Sequence, residues 1–205
     1  MANPIHRKRR RNILVDDLFL YAHSFHKAAQ ALAGSLRGGD PVSDVGLSPV
    51  VYLYRHALEL HLKAILLGDG GNFLATRPDR LSIYKTHSVT WLGQFVCQIV
   101  TGVGWQREFR CEGIENLEDF KPAVGEMNSV DPGSYAFQLP GETEAKGAVD
   151  VRGFATKMDA LLELLNSTAD GLAAEWDLRS GTVTLESDGP GGGFEPTIQR
   201  DIDGW

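Results

Sequence analysis

The sequence predicts an all-α fold, a bundle of four or five helices. Three segments repeat apolar residues at three- and four-residue steps, which is the spacing of one helix face: residues 16–36, 86–100 and 149–176. A fourth segment, residues 52–67, is apolar at most positions, as is typical of a helix buried on nearly all sides. The chain has 205 residues, enough for one domain with its own core.

Residues 16–36 are predicted to form the first long helix. Its apolar face is predicted to consist of Leu18, Tyr21, Ala22, Phe25, Ala28, Ala29 and Leu32. A run of glycines that begins at Gly34 ends the helix. His23 and His26 are interpreted as surface or satisfied structural residues, because a metal-binding pair on a helix needs i, i+4 spacing.

The central helix is predicted to begin at Pro49, with Ser48 as its N-cap, and to end before Gly68 as its C-cap. Five charged or imidazole side chains interrupt its apolar run: Arg55, His56, Glu59, His61 and Lys63. Charged groups on a buried helix are unfavourable unless they are paired or functional. This conflict is the main indication of function in the sequence.

Helical spacing arranges these side chains on the central helix. Arg55, Glu59 and Lys63 are four residues apart, so Glu59 is predicted to pair with both cations. His56 lies at the edge of this stripe. His61 lies about 120° from Arg55 around the axis, so the two border one cleft only if a second wall comes from another helix or subunit.

Three further helices are predicted, at residues 86–100, 115–124 and 149–176. Thr86 is the expected N-cap of the first, which places His87 in its first turn, either near the charged stripe or simply at the cap. In the second, Leu117 and Phe120 are expected to point inward. The glycines of residues 68–71 are interpreted as a helix exit, because no strand precedes them and no Gly-Lys-Ser/Thr follows.

Composition limits the function classes. The formal net charge is −7, which argues against a surface that coats nucleic acid but leaves room for a local basic cleft. No apolar run free of charges reaches the length of a membrane span, and no metal or cofactor motif occurs, so no membrane, metal or cofactor is predicted. Cys97 and Cys111 are expected to be free thiols in a reduced cytoplasmic setting, with a disulfide between them left open.

The two ends of the chain are predicted to lie outside the helical domain of residues 13–178. Residues 1–12 carry a basic run, interpreted either as an arm for RNA or phosphate or as a solvated, disordered terminus. Residues 179–205 combine glycines with acidic residues and are predicted to form a flexible tail, because they cannot bury an apolar face.

The string Arg55-His-Ala-Leu-Glu-Leu-His61 resembles the Arg/His signature of the HEPN superfamily (higher eukaryotes and prokaryotes nucleotide-binding domains). Two later segments are similar to a bacterial subgroup of that superfamily: residues 86–92 and 131–140. In the second segment, Gln138 and Leu139 stand where the subgroup has Arg and Tyr. The resemblance covers roughly residues 13–170 and implies a HEPN-like helical bundle.

The resemblance implies a metal-independent endoribonuclease that acts as a homodimer, a toxin or defence component with an antitoxin or nucleotidyltransferase partner. His61 is then the general acid/base and Arg55 the phosphate clamp. The auxiliary residues are His56, Glu59, Lys63 and His87. An alternative is a non-catalytic HEPN-like module that binds a nucleotide, RNA or a protein partner. The residues alone also permit a purely structural ion-pair ladder with a satisfied core histidine.

Overall fold

The computed structural model describes residues 13–36, 44–130 and 151–181, and helices dominate these ranges. Its six α-helices are α1 Ile13–Ser35, α2 Asp44–Leu67, α3 Arg80–Lys85, α4 Val89–Val103, α5 Leu117–Val130 and α6 Val151–Arg179, with a 3₁₀ turn at Asp69–Phe73. The described ranges contain no β pairing beyond a single bridge between Cys111 and Ile114. The predicted all-α class is confirmed.

Helix α2 lies at the centre of the fold. It packs against α1, α3, α4, α6 and the 3₁₀ turn. From Tyr54 to Leu67, every residue except His56 and Leu60 is buried. The sequence predicts this position correctly, because only a helix surrounded by other elements can be apolar around its whole circumference.

The start of α2 and the backbone conformation of the glycine after it differ from the prediction. The helix begins at Asp44, so Pro49 lies inside it and Ser48 is not its N-cap. Proline lacks an N–H and is tolerated best in the first turn of a helix. Here a little over one turn of helix precedes Pro49. The helix ends before Gly68 as predicted, but Gly68 is extended (φ −85°, ψ −153°) rather than left-handed.

Helix α1 is confirmed, but its buried face is rotated from the prediction. Ala22, His26, Ala29 and Ala33 are buried and follow three- and four-residue steps. Tyr21, predicted to be inside, is 60% exposed. Small side chains allow α1 to approach α2 closely. This interface therefore contains alanines, although hydrophobicity alone favours burial of Tyr21.

The predicted third helix begins later than expected. Its N-cap is Ser88, whose Oγ accepts a hydrogen bond from the backbone N of Trp91 at 3.2 Å, so the prediction of Thr86 as cap is wrong. The linker before it contains α3, which the sequence analysis missed. Asp79 caps α3 by accepting a hydrogen bond from the backbone N of Ser82 at 2.9 Å, and that N-cap residue was the available signal.

Helices α5 and α6 confirm the predicted last two helices, although α5 extends to Val130. Leu117 and Phe120 are buried as expected. The buried residues of α6 repeat with helical spacing: Val151, Ala155, Met158, Leu161, Leu162, Leu165, Thr168 and Leu172. These side chains close the core around α2.

Both cysteines are free thiols. Cys97 is buried on α4, and Cys111 is partly buried in the connection that follows α4. Burial raises the pKa of each thiol above its ordinary value, so both stay protonated at neutral pH.

Several predictions fall outside the described residues: the basic arm of residues 1–12, the Gln138-Leu139 departure and the tail beyond residue 181. None of the described helices combines the length and apolar character that crossing a bilayer requires.

The glycines after α2 form the 3₁₀ turn that brings the chain back against the end of the helix. A Cβ atom added at Gly71 would lie 2.3 Å from the carbonyl oxygen of Leu66 and 2.6 Å from the guanidinium of Arg77. Arg77 in turn donates a hydrogen bond to that same Leu66 oxygen at 2.7 Å. Only glycine allows the backbone and the arginine to share this carbonyl end.

We expect Gly71→Ala to destabilise the protein by about 1–3 kcal/mol, because the new methyl group overlaps backbone that cannot move freely. Gly125→Ala is the matched control, since Gly125 lies inside α5 with open space around its Cα. That control is expected to stabilise by about 1 kcal/mol or less through helix propensity. Thermal or urea unfolding measures both, and equal effects of the two variants would contradict the close approach at Gly71.

Candidate functional site

The charged stripe of α2 forms one buried cluster around Glu59. Glu59 Oε2 accepts a hydrogen bond from Arg55 Nη1 at 3.2 Å, and Oε1 accepts one from Lys63 Nζ at 2.7 Å. All three residues are buried, with exposed fractions of 0% for Arg55, 1% for Glu59 and 5% for Lys63. The predicted pairing of one carboxylate with two cations is therefore confirmed.

The same two cations also hold the connection between α3 and α4. Arg55 Nη2 donates to the backbone oxygen of His87 at 2.5 Å, and Lys63 Nζ donates to the backbone oxygen of Tyr84 at 3.0 Å. These carbonyls lie at and just after the end of α3, where helical partners run out. The buried charges thus fix the path of residues 84–87 across α2.

Glu59 is ionised in this environment. Burial alone would raise the pKa of its carboxyl group, but the hydrogen bond and charge of Lys63, aided by His87 and Arg55, lower the pKa below its ordinary value. A carboxylate with two cationic neighbours leaves the cluster with a net positive charge. The ion pairs with Glu59 and the hydrogen bonds to backbone carbonyls explain how three ionisable side chains are retained in an apolar helix.

His87 is the one member of the cluster whose side chain is mainly exposed, at 57%. Its Nδ1 lies 3.1 Å and 3.3 Å from the two carboxylate oxygens of Glu59. Because an ionised carboxylate only accepts hydrogen bonds, Nδ1 carries the proton and Nε2 is left for exchange with solvent. His87 lies just before α4, not in its first turn, but it does lie beside Arg55.

His61 lies on a different side of α2. It is buried, its ring is 6.0 Å from that of Phe19 on α1, and its Nδ1 donates to the backbone oxygen of Ala57 at 3.0 Å. Burial lowers the pKa of His61 from 6.5 to about 4, so the imidazole is neutral at neutral pH. Arg55 and His61 therefore contact different neighbours, and the described residues do not join them in one cleft.

A second polar cluster joins three helices and was missed in the sequence. Asp159 on α6 accepts hydrogen bonds at Oδ1 from Tyr54 Oη of α2 at 2.8 Å and from His26 Nε2 of α1 at 2.7 Å. His26 is thereby a satisfied structural histidine, as predicted. The long sequence separations of these pairs, 105 and 133 residues, left no local signal for the cluster.

Comparisons of the chain with protein-family models, with curated proteins and with solved structures find no match. Within the described ranges, His, Cys, Asp and Glu side chains form no group of three or more that is arranged to hold a metal ion.

We expect Glu59→Ala to destabilise the protein by about 3–5 kcal/mol, because Arg55 and Lys63 would keep buried charges without their shared carboxylate. Glu118→Ala is the matched control: Glu118 pairs with Lys121 at the surface, with a side chain that is 78% exposed. A surface pair contributes about 1 kcal/mol or less. Chemical denaturation measures both, and a loss for Glu59→Ala as small as that of the control would contradict a buried ladder.

His61 is expected to make stability fall with acid. Its folded-state pKa of about 4 lies below the unfolded value of 6.5, so its contribution is complete above pH 6.5 and is lost as pH falls toward 4. Each tenfold change in proton affinity corresponds to about 1.4 kcal/mol, so the loss is on the order of 3 kcal/mol. Unfolding across this pH range should show a shallower slope in His61→Gln.

The control for this titration is His23→Gln. His23 is an exposed histidine of α1 whose pKa is also lowered by burial, but which is far less buried than His61. The slope should therefore change much less in His23→Gln than in His61→Gln. A wild-type slope in His61→Gln would show that the ring is not kept neutral by burial.

Proposed function

We propose that this chain is a HEPN-like endoribonuclease that cleaves RNA without a metal ion, and that its acid/base imidazole is His87 rather than His61. The observation that carries the proposal is a solvent-facing imidazole held at Nδ1 by a buried, ionised carboxylate. The choice of RNA as substrate rests on the resemblance of the Arg55–His61 string to the HEPN signature.

The pairing of His87 with Glu59 suits proton transfer. A carboxylate at Nδ1 fixes the ring orientation and the tautomer, and it stabilises the imidazolium once Nε2 has taken a proton. An imidazole can serve as a general acid or a general base. His61 lacks these properties, because its ring is buried and its pKa is about 4.

Arg55 takes a different role in this proposal from the phosphate clamp that the resemblance implies. Its guanidinium is fully buried and donates to Glu59 and to the His87 backbone. Arg55 and Lys63 are therefore positioning residues, which hold the connection that carries His87. The net positive charge of the cluster still favours a phosphate near the exposed ring.

A non-catalytic module that binds RNA, a nucleotide or a protein partner is the second candidate. The specific observation in its favour is that both ends of the Arg/His motif, Arg55 and His61, are buried and hydrogen-bonded. In this case His87 would recognise a phosphate without transferring a proton. The antitoxin or nucleotidyltransferase partner belongs equally to both candidates.

A homodimer remains part of the proposal. The partly exposed positions of α2 beside His56 form a stripe for such an interface: Pro49, Tyr52, Leu53 and Leu60. Light scattering over a wide range of micromolar concentrations tests it, and a strictly monomeric species would remove the dimer. The dyad of Glu59 and His87 is complete within one chain, so cleavage does not depend on that result.

We expect His87→Gln to lower cleavage of a mixed RNA pool by about 10²–10⁴-fold, the usual effect of removing an acid/base group. The assay contains a chelator, and the thermal midpoint is measured alongside. His23→Gln, an exposed histidine on α1, is the matched control and should retain full activity. His61→Gln should also cleave at neutral pH, although its stability changes.

Three outcomes are informative. Full activity in His87→Gln would reject His87 as the acid/base. A wild-type protein that retains RNA without cleaving it, and loses this retention in His87→Gln, would favour the non-catalytic module. A wild-type protein that neither cleaves nor retains RNA would contradict both the endoribonuclease and a module that binds RNA.

A further inference from the structure

A second imidazole lies beside the carboxylate that holds His87. His56 precedes Glu59 by three residues on α2, so the two side chains lie on neighbouring positions of one helix face. Its side chain is half-buried, whereas its helical neighbours Arg55 and Ala57 are fully buried. Glu59 thus has one imidazole on its own helix and another on the connection before α4.

The ring of His56 is held by aromatic contacts. Tyr52 stacks on it with an interplanar angle of 5° and a centroid distance of 5.7 Å. Phe25 of α1 meets it edge-on at 4.4 Å. The ring therefore has a fixed orientation without a hydrogen bond to set it, which is the preorganisation that proton transfer in a site requires.

The polar atoms of His56 do not fit a structural role. Its Nδ1 is buried and has no hydrogen-bond partner among the described residues, so exchange with solvent is left to Nε2. A buried polar atom without a partner costs about 1–3 kcal/mol. In contrast, the buried imidazoles of His26 and His61 each have a partner.

The charges around His56 favour the neutral ring. Burial lowers the pKa of His56 below 6.5, and Lys63, Arg55 and His87 lower it further, while Glu59 acts in the opposite direction. From α1, the contacting ring is that of Phe25, which carries no charge. The imidazole is thus free to accept a proton at neutral pH.

We infer that His56 and His87 are a base and acid pair that cleaves RNA through its own 2′-hydroxyl group. This inference rests on the proposed endoribonuclease function and adds a second catalytic residue to it. His56 takes the proton of the 2′-hydroxyl, and His87, protonated at Nε2 and held by Glu59, gives a proton to the leaving 5′-oxygen.

The step balances without any further reactant. The 2′-oxygen forms a bond to phosphorus while the bond from phosphorus to the 5′-oxygen breaks. The products are a 2′,3′-cyclic phosphate and a free 5′-hydroxyl end. One proton has moved to His56 and one has left His87, and exchange with solvent restores both rings.

Two substrates separate the roles of the two histidines. One is a dinucleotide, uridylyl-adenosine, whose leaving 5′-oxygen needs a proton. The other is uridine 3′-(4-nitrophenyl phosphate), whose nitrophenolate leaves without one. We expect His87→Gln to lose about 10²–10⁴-fold on the dinucleotide and far less on the nitrophenyl ester, whereas His56→Gln loses a similar factor on both.

The pH profile gives an independent readout. Wild-type cleavage of the dinucleotide should rise and then fall with pH, His56→Gln should lack the acid limb, and His87→Gln should lack the alkaline limb. The matched control is again His23→Gln, which should keep both limbs and both rates. A merely structural effect of His56→Gln would lower the rate without changing the shape of the profile.

The outcomes distinguish this inference from the proposed function. If the wild type cleaves and His56→Gln cleaves both substrates at the wild-type rate, or with an unchanged profile, the pair is wrong and the endoribonuclease assignment stands. If the wild type cleaves neither substrate nor any RNA of a mixed pool, the proposed function fails and the inference fails with it.

Discussion

The carboxylate of Glu59 is the interaction on which the described structure depends most. It lies on the central helix, 1% exposed, and pairs with two cations that would otherwise be buried without a counter-charge. Those cations extend its influence beyond α2, because they bind the carbonyls of Tyr84 and His87. One anion therefore stabilises a helix, a loop and the orientation of an exposed imidazole.

This arrangement makes the core and the candidate site share the same atoms. The cations that pair with Glu59 also hold the backbone that carries His87, so the effect of a substitution inside the helix reaches the surface directly through these hydrogen bonds. Loss of activity in a cluster variant therefore has two physical sources, altered chemistry or an altered loop. Measuring stability beside activity separates them, since only the second requires that contacts within the fold be lost.

The sequence predicted what depends on local spacing. The i, i+4 ladder of Arg55, Glu59 and Lys63 and the central position of α2 follow from helix geometry alone. Contacts between distant segments were predicted only as alternatives: the sequence left open whether His87 lies near the charged stripe, and the structure has it contacting Glu59 across 28 residues. Helix α3 was not predicted. A buried, satisfied His61 was likewise one alternative, because one helix in isolation cannot show which neighbour covers each face. The N-cap of α4 was predicted incorrectly, because two residues that can cap a helix lie close together. The cap is Ser88 rather than Thr86.

The second polar cluster, in which Asp159 joins α6 to α1 and α2, has a consequence for the order in which the chain folds. Helices α1 and α2 are consecutive and can pair early, but the acceptor for His26 and Tyr54 lies on the last helix, 133 and 105 residues away. During synthesis on the ribosome, neither hydrogen bond to Asp159 can form until α6 has emerged. The first helical hairpin therefore completes this polar cluster only when the last helix packs against it.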